Sequence, residues 1–175
     1  MKISIITIAY NSEDTIEDTI QSVINQSYTQ IEYIIIDGGS TDNTLNIINK
    51  YKDQIHNIIS EPDKGIYDAM NKGVNLANGE LVGILNSDDF YSHNDVIKNI
   101  AKAIGDYDSV YADLVYVDRE NSNKIIRYWK SGTYTKGSFL KGWMPPHPTF
   151  FLRKKIYNQF GTYNLSLKSA RSEER

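Results

Sequence analysis

The chain has 175 residues, 40% of them hydrophobic and 23% charged, which is enough for one globular domain with a sizeable core. A formal net charge of -3 and a pI of about 5.6 exclude a broad nucleic-acid surface. The lack of cysteine excludes a disulfide framework and thiolate metal sites.

The first segment, ISIITIAY (3–10), is a continuous β-branched run, as expected of a strand covered on both faces. The preceding Met-Lys imitates the start of a signal peptide. Ser4, Thr7 and Asn11 break the apolar run, however, and no small-residue cleavage site follows. Ser12 is placed to cap a helix whose positive end suits Glu13 and Asp14, with Ile16, Ile20, Val23 and Ile24 on one face. IEYIIID (31–37) is a second buried strand. The turn GGSTDNT, with Ser40 or Thr41 as the expected cap, leads to a helix carrying Leu45, Ile47, Ile48 and Tyr51. HNIISE (56–61) reads as a short strand, 67–77 as a helix, ELVGILN (80–86) as a fourth strand and HNDVIKNIAKAIG (93–105) as a capped helix.

This βαβα order predicts an α/β domain with a mostly parallel central sheet and helices on both faces. After residue 106 the pattern changes. DSVYADLVYVD and NKIIRYW, separated by ENSN, predict a small antiparallel addition. Three prolines exclude an α-helix in KGWMPPHPTFFLR, and KKIYNQF predicts a short helix ending at Gly161. The polar end KSARSEER is expected to fray, which gives a tail over 166–175. No segment approaches the ~18 uninterrupted apolar residues of a membrane span, so the expectation is a cytoplasmic protein without an integral membrane segment.

In sheets of this kind ligands bind beyond the carboxyl ends of the strands. Polar residues gather at three such ends: Asn11, Asp37, and the pair Asp88 and Asp89. Two adjacent acids directly after LVGILN suit either a solvated turn or a hard divalent cation, Mn2+ or Mg2+, shared with substrate phosphates. Asp37, before two glycines that let a ligand approach the backbone, is able to accept hydrogen bonds from a base or a ribose. EPDKGIYDAMNKG gathers Asp63, Lys64 and Lys72 around Gly65 and Gly73, with Lys64 or Lys72 available to balance phosphate charge. GGSTDNT is neither a dinucleotide fingerprint nor a P-loop. His147 lies in a rigid proline-rich loop.

Taken in order, ISIITIAYNS, IIIDGGSTDNT, EPDKGIYDAMNKG, GILNSDDFY, YADLVYVD and PPHPTFFLR resemble the family 2 glycosyltransferases of the Rossmann-like GT-A fold, over roughly residues 3 to 165. The resemblance implies inverting transfer of a sugar from a nucleoside diphosphate, UDP above all, to a hydroxyl on a saccharide or lipid-linked acceptor. The expected setting is bacterial surface-polysaccharide synthesis at the inner face of the membrane, with peripheral membrane association left open and no nucleic-acid partner. It implies that Thr7, Ala9, Tyr10 and Asn11 cradle base and ribose and that Asp37 contacts the base. Asp63, Lys64, Gly65, Lys72 and Ser87 complete the donor site. Asp88 would meet the ribose or donor sugar and Asp89 the metal, and Asp113 and His147 would lie on the acceptor side. Residues 1–106 would then form the donor half and 107–165 the acceptor half of one domain.

Two departures stand out against that pattern. Met70 occupies a position where many relatives carry Arg. The general base of the family is an acid downstream of the PHPTFF-like segment, where this chain reads YNLSLKSARSEER and offers only Glu173 and Glu174 in a different context. The expectation is therefore a C-terminally truncated member with no identified base, active poorly or serving as a nucleotide-sugar-binding module. A phosphotransferase using the acid pair is disfavoured, because ISIITIAY supplies no acidic nucleophile.

Overall fold

The structure, a computed structural model, describes residues 1–166. Glu173, Glu174 and the tail beyond Ser166 lie outside the described residues. Four parallel strands come first: β1 (Ile3–Ala9), β2 (Ile31–Asp37), β3 (Asn57–Ser60) and β4 (Leu81–Asn86). They alternate with helices α1 (Ile16–Ile24), α2 (Thr44–Lys50), α3 (Ile66–Leu76) and α4 (Val96–Ala103). The second part adds β5 (Ser109–Val110), β6 (Leu114–Val117), β7 (Ile125–Trp129), β8 (Phe151–Arg153) and α5 (Lys154–Phe160). The main sheet has the order β3-β2-β1-β4-β8-β5, and β6 and β7 form a separate two-stranded sheet. Among the described residues no helix is long and apolar enough to cross a membrane.

The alternation of side chains along the strands splits the core into two layers. Ile3, Ile5, Tyr33, Ile35, Leu81 and Leu85 face one side, where they meet Ile16 and Ile20 of α1, Ile47 and Ile48 of α2 and Ile97 and Ile100 of α4. Ile6, Ile8, Ile34, Ile36, Val82 and Ile84 face the other, against Ala69, Met70 and Val74 of α3. Gly73 lets α3 lie close to the sheet, since a Cβ there would fall 2.3 Å from Ile6 Cγ2. The sheet is thus covered on both faces, as the β-branched runs predict.

At the amino edge of β1 and β2 a carboxylate is buried. Glu32 accepts hydrogen bonds from Lys2 Nζ (2.7 Å), Ser4 Oγ (2.5 Å) and the Asn78 backbone N–H (2.7 Å). Burial alone would raise its pKa, but these donors outweigh it and hold the group at about 2.

The second part differs from expectation in detail. The segment 108–118 is not one strand: Ser109–Val110 joins the main sheet beside β8, while Leu114–Val117 leaves it to pair with β7. The break falls at Ala112, whose N–H and carbonyl are both taken by Thr149 Oγ1. The proline-rich segment holds a 3-10 turn at His147–Thr149 and then β8, antiparallel to β4, with Phe151 opposite Gly83. A Cβ on Gly83 would lie 2.3 Å from the Phe151 ring, so the missing side chain makes room for the aromatic. The caps also differ. Helix α1 begins at Ile16, and Ser12 receives the N–H groups of Thr15 and Ile16 on its carbonyl rather than its hydroxyl. Helix α2 begins at Thr44, whose N–H bonds Asp42 Oδ1 (3.0 Å), and neither Ser40 nor Thr41 caps it.

Candidate functional site

The register brings the carboxyl ends of the parallel strands level. Ala9 is opposite Asp37, Ile8 opposite Asn86, and Asp37 opposite Ser60. The chain passes from β1 to β2 and β3 on one side and returns to β4 on the other. The reversal of order leaves a crevice above β1. A cleft of about 1060 Å³ opens there, lined by the ends of β1 and β4, Gly38, Gly39, Asp63, Gly65, the start of α3, and Arg119 from the β6–β7 hairpin.

Asn11 holds the first rim in place. Its φ of 48° is the left-handed conformation, which asparagine tolerates better than most residues. Its N–H donates to Ser40 Oγ (2.9 Å) and its side-chain oxygen accepts from the Thr41 N–H (2.9 Å), which ties the turn after β1 to the turn after β2. Tyr10 projects from this turn with 63% of its surface exposed and lines the cleft. Ser12 and Ser87 bond hydroxyl to hydroxyl (2.7 Å) between the β1 and β4 ends. The hydroxyl expected to cap α1 is therefore spent on joining the two walls.

The second rim is the turn 86–89, where the Asp89 N–H bonds the Asn86 carbonyl (3.1 Å). Thr19 of α1 donates to the carbonyls of Ser87 (2.9 Å) and Asp89 (2.8 Å), which fixes the turn on its helix. Asp88 is exposed and lines the cleft, whereas Asp89 is half-buried and accepts from Asn86 Nδ2 (3.0 Å). Asn86 Oδ1 is buried without a hydrogen-bond partner among the described residues. The third rim is an Asx turn, in which Asp63 Oδ1 accepts from the Gly65 N–H (2.8 Å). A Cβ on Gly38 would fall 2.5 Å from Asp63 Oδ2, so the second and third strand ends touch across that glycine.

Ala9, Tyr10, Asn11, Asp63, Gly65, Ser87 and Asp88 share the cleft. Thr7 lies below it, wholly buried, with its hydroxyl bonded to Tyr33 (3.1 Å). Asp37 is also fully buried. Its carboxylate is occupied by the Ser40 N–H (3.1 Å), the Ser40 hydroxyl and the Ser60 hydroxyl (2.6 Å), so it holds the loops that form the cleft rather than lining it. Lys72 is drawn away to Glu61 (2.9 Å) and Asp68 (3.6 Å), and its hydrogen bond to Glu61 raises its pKa. Lys64 is exposed off the lining, with its backbone N–H on Asp68.

Asp113 stands at the base of the hairpin. Its carboxylate takes the Ser131 N–H (2.9 Å), the Ser131 hydroxyl (2.8 Å) and Tyr128 (3.2 Å), and the Ser131 bonds hold its pKa below the usual carboxylate range. His147 packs its ring 6.3 Å from Tyr163. Neither Asp113 nor His147 reaches the cleft lining. The cation that does line it is Arg119, absent from the sequence-based candidates, which bridges to Asp14 (2.9 Å). Nothing in the local pattern RENSN marks it, because its partner is 105 residues away.

The lining is acidic: Asp14, Asp63 and Asp88 against Arg119. A diphosphate entering this cleft meets like charge unless a cation accompanies it. Among the described residues no group of three or more His, Asp or Glu side chains forms a self-sufficient metal site. The side-chain oxygens at 86–89 instead suit a hard cation that completes its shell with water and phosphate. The residues present therefore fit a hard cation such as Mn2+ or Mg2+ that shares its shell with a bound phosphate.

The family model for glycosyl transferase family 2 matches residues 4–164. A mycobacterial PGL/p-HBAD biosynthesis glycosyltransferase, from Mycobacterium bovis, is 32% identical over 93% of the chain. The chain spans 63% of that relative's length. TuaG of Bacillus subtilis, named for teichuronic acid biosynthesis, is 39% identical over 56% of the chain and 40% of its own length. Among solved structures, S. aureus TarS in complex with UDP-GlcNAc superposes with a TM-score of 0.74 at 22% identity, over 97% of this chain and 50% of that one. A mannosyltransferase of Pyrobaculum calidifontis with GDP-Man and Mn2+ gives 0.72 at 16%, over 95% and 48%. At such identities the structures speak for the fold, and the GT-A fold is the one described above.

Proposed function

The chain belongs to glycosyl transferase family 2, and we propose that it moves a sugar from a nucleoside diphosphate donor to a hydroxyl acceptor with inversion at the anomeric carbon. The observation that carries this reading is the convergence of Asn11, Asp63, Asn86 and Asp88 on one acidic cleft at the strand-order reversal. Structural neighbours in complex with UDP-GlcNAc and GDP-Man support a nucleotide sugar as the donor class, with UDP as the first choice. The acceptor is a saccharide or lipid-linked hydroxyl and the setting is surface-polysaccharide assembly at the cytoplasmic face of a membrane; the name of TuaG, a teichuronic acid biosynthesis glycosyltransferase, supports the polysaccharide part of that setting. Residues 1–106 form the donor half and 107–165 the acceptor half of the same domain, with Arg119 reaching from the second half into the donor cleft.

In this reading Tyr10 offers its exposed ring to the base. Asn11 and Gly38 keep the backbone of the first rim open to the ribose, and Asp88 orients ribose or sugar hydroxyls. Arg119 exchanges Asp14 for the diphosphate. Asp89 and Asp88 would hold the Mn2+ or Mg2+, whose positive charge stabilises the leaving diphosphate when bound. The acceptor oxygen attacks the anomeric carbon opposite the diphosphate. The C–O bond to phosphate breaks with its electron pair on the phosphate oxygen, and the acceptor proton passes to a base. Asp113 is a weak candidate for that base, because its hydrogen bonds favour the ionised form and reduce its proton affinity.

The test is thermal unfolding with UDP and GDP, each with and without Mn2+, followed by a transfer assay on the better ligand. A true ligand at a hundredfold excess over its Kd adds about 2.7 kcal/mol. Asp89→Asn should remove the metal-dependent increment. No shift with any nucleotide, with or without metal, would overturn the reading.

A further inference from the structure

We propose that the segment 134–144 is a docking knuckle for an anionic bilayer surface. The inference rests on the membrane-side setting given above but argues from surface chemistry alone. Between residues 121 and 166 the chain carries eight lysines and arginines and no acid, whereas residues 1–120 carry twenty acids and eight lysines and arginines. The net charge of -3 therefore hides a strongly cationic second part. Some of these cations are spent within the fold: Lys124 pairs with Asp118, Lys155 with Asp108, and Arg153 bonds the carbonyls of Gly105 and Tyr107. Lys136 and Lys141 have no acid within their own stretch to neutralise them.

These two lysines flank an exposed apolar group. Leu140, in the 3-10 turn Phe139–Lys141, is 93% exposed, and Phe139, Met144 and Tyr134 are each about half exposed. The group is built on a rigid base. The Trp143 indole N–H donates to the Ser131 carbonyl (2.7 Å), and the rings of Tyr111, Tyr134 and Phe139 surround Trp143 at 5.4 to 5.6 Å. Ser138 ties the turn through the Thr135 N–H (3.1 Å), so Leu140 is held outward by its neighbours.

An apolar tip seated on aromatic rings and flanked in sequence by two exposed lysines matches the interfacial zone of a membrane. There the apolar side chains enter the acyl boundary and the ammonium groups stay with anionic headgroups. A second copy of the chain is a poorer occupant, because it would bring the same positive charge to the contact.

The experiment is sedimentation of the whole chain with two vesicle preparations: phosphatidylcholine alone, and equal parts phosphatidylcholine and phosphatidylglycerol. Binding to the mixed vesicles, weak binding to the neutral ones and release by high salt are expected. Lys136→Gln with Lys141→Gln should weaken binding to the mixed vesicles by about thirtyfold, from the usual contribution of a lysine at an anionic surface. Leu140→Ser should weaken binding to both preparations. All variants should keep the nucleotide-induced stabilisation of the parent chain, and this separates failure of the knuckle from failure of the transferase reading. Equal sedimentation of the parent and these variants, or none with the mixed vesicles, would overturn the proposal. Self-association lost in Leu140→Ser would do the same by giving the face to a second copy.

Discussion

Replacing Glu32 with Gln should lower stability at neutral pH, and most of the loss should vanish in acid. Glu32 is 3% exposed and gathers Lys2, Ser4 and Asn78 around one charge. Its pKa is held at about 2 instead of 4.5, which converts to about 3 kcal/mol of stability above pH 5. The Lys2 side chain is 45% exposed, so water screens its share and about 2 kcal/mol is the working figure. The folded pKa lies below the unfolded one. The contribution is therefore complete above the unfolded value and disappears as pH falls from about 5 toward 2. Urea unfolding of parent and variant at several pH values measures the gap directly. It should narrow by about 2 kcal/mol across that window. A gap that stays constant with pH would refute the reasoning, since the effect would then be packing and not charge.

Gly38→Ala pushes a methyl toward Asp63 Oδ2 and Tyr10, so nucleotide-induced stabilisation should fall sharply while the unliganded protein loses less than about 1 kcal/mol, read by melting with and without UDP. Arg119→Ala removes an exposed ion pair, 79% and 73% accessible, that contributes little to folding. It should weaken UDP binding by about tenfold or more and leave uridine binding nearly unchanged in calorimetry, because a charged hydrogen bond contributes roughly 1.5–3 kcal/mol. Gly73→Ala drives a methyl into Ile6 between α3 and the sheet and should cost about 1–3 kcal/mol in urea unfolding.

The parallel core was legible because it is local. Runs such as ISIITIAY and IEYIIID leave little choice but strands buried on both faces, and their polar ends mark the crevice. The place of Asp88 at the crevice was legible for the same reason, since charge directly after an apolar strand asks for a ligand or solvent, whereas Asp89 beside it is off the lining and accepts from Asn86 Nδ2. Asp37 shows the limit of that logic. The sequence places it at the right strand end, but Ser60 on a neighbouring strand and Ser40 in its own turn claim the carboxylate, and only the register reveals that. Lys72 is similar: its acids Glu61 and Asp68 are nearby in sequence, yet the choice between phosphate and carboxylate is geometric. The two-residue β5 and three-residue β8 carry too little pattern to read, and a glycine on β4 makes the room for Phe151. Arg119 was invisible because a hairpin folds it over the cleft from a distant part of the chain.

That hairpin shares no ladder with the main sheet, and its only described charge contact with the opposite wall is one water-exposed guanidinium. No strand ladder thus ties the hairpin wall of the cleft to the parallel sheet. A displacement of β6–β7 would therefore leave the parallel ladders below intact, and in the proposed transferase the admission of a donor and global unfolding would draw on different sets of bonds.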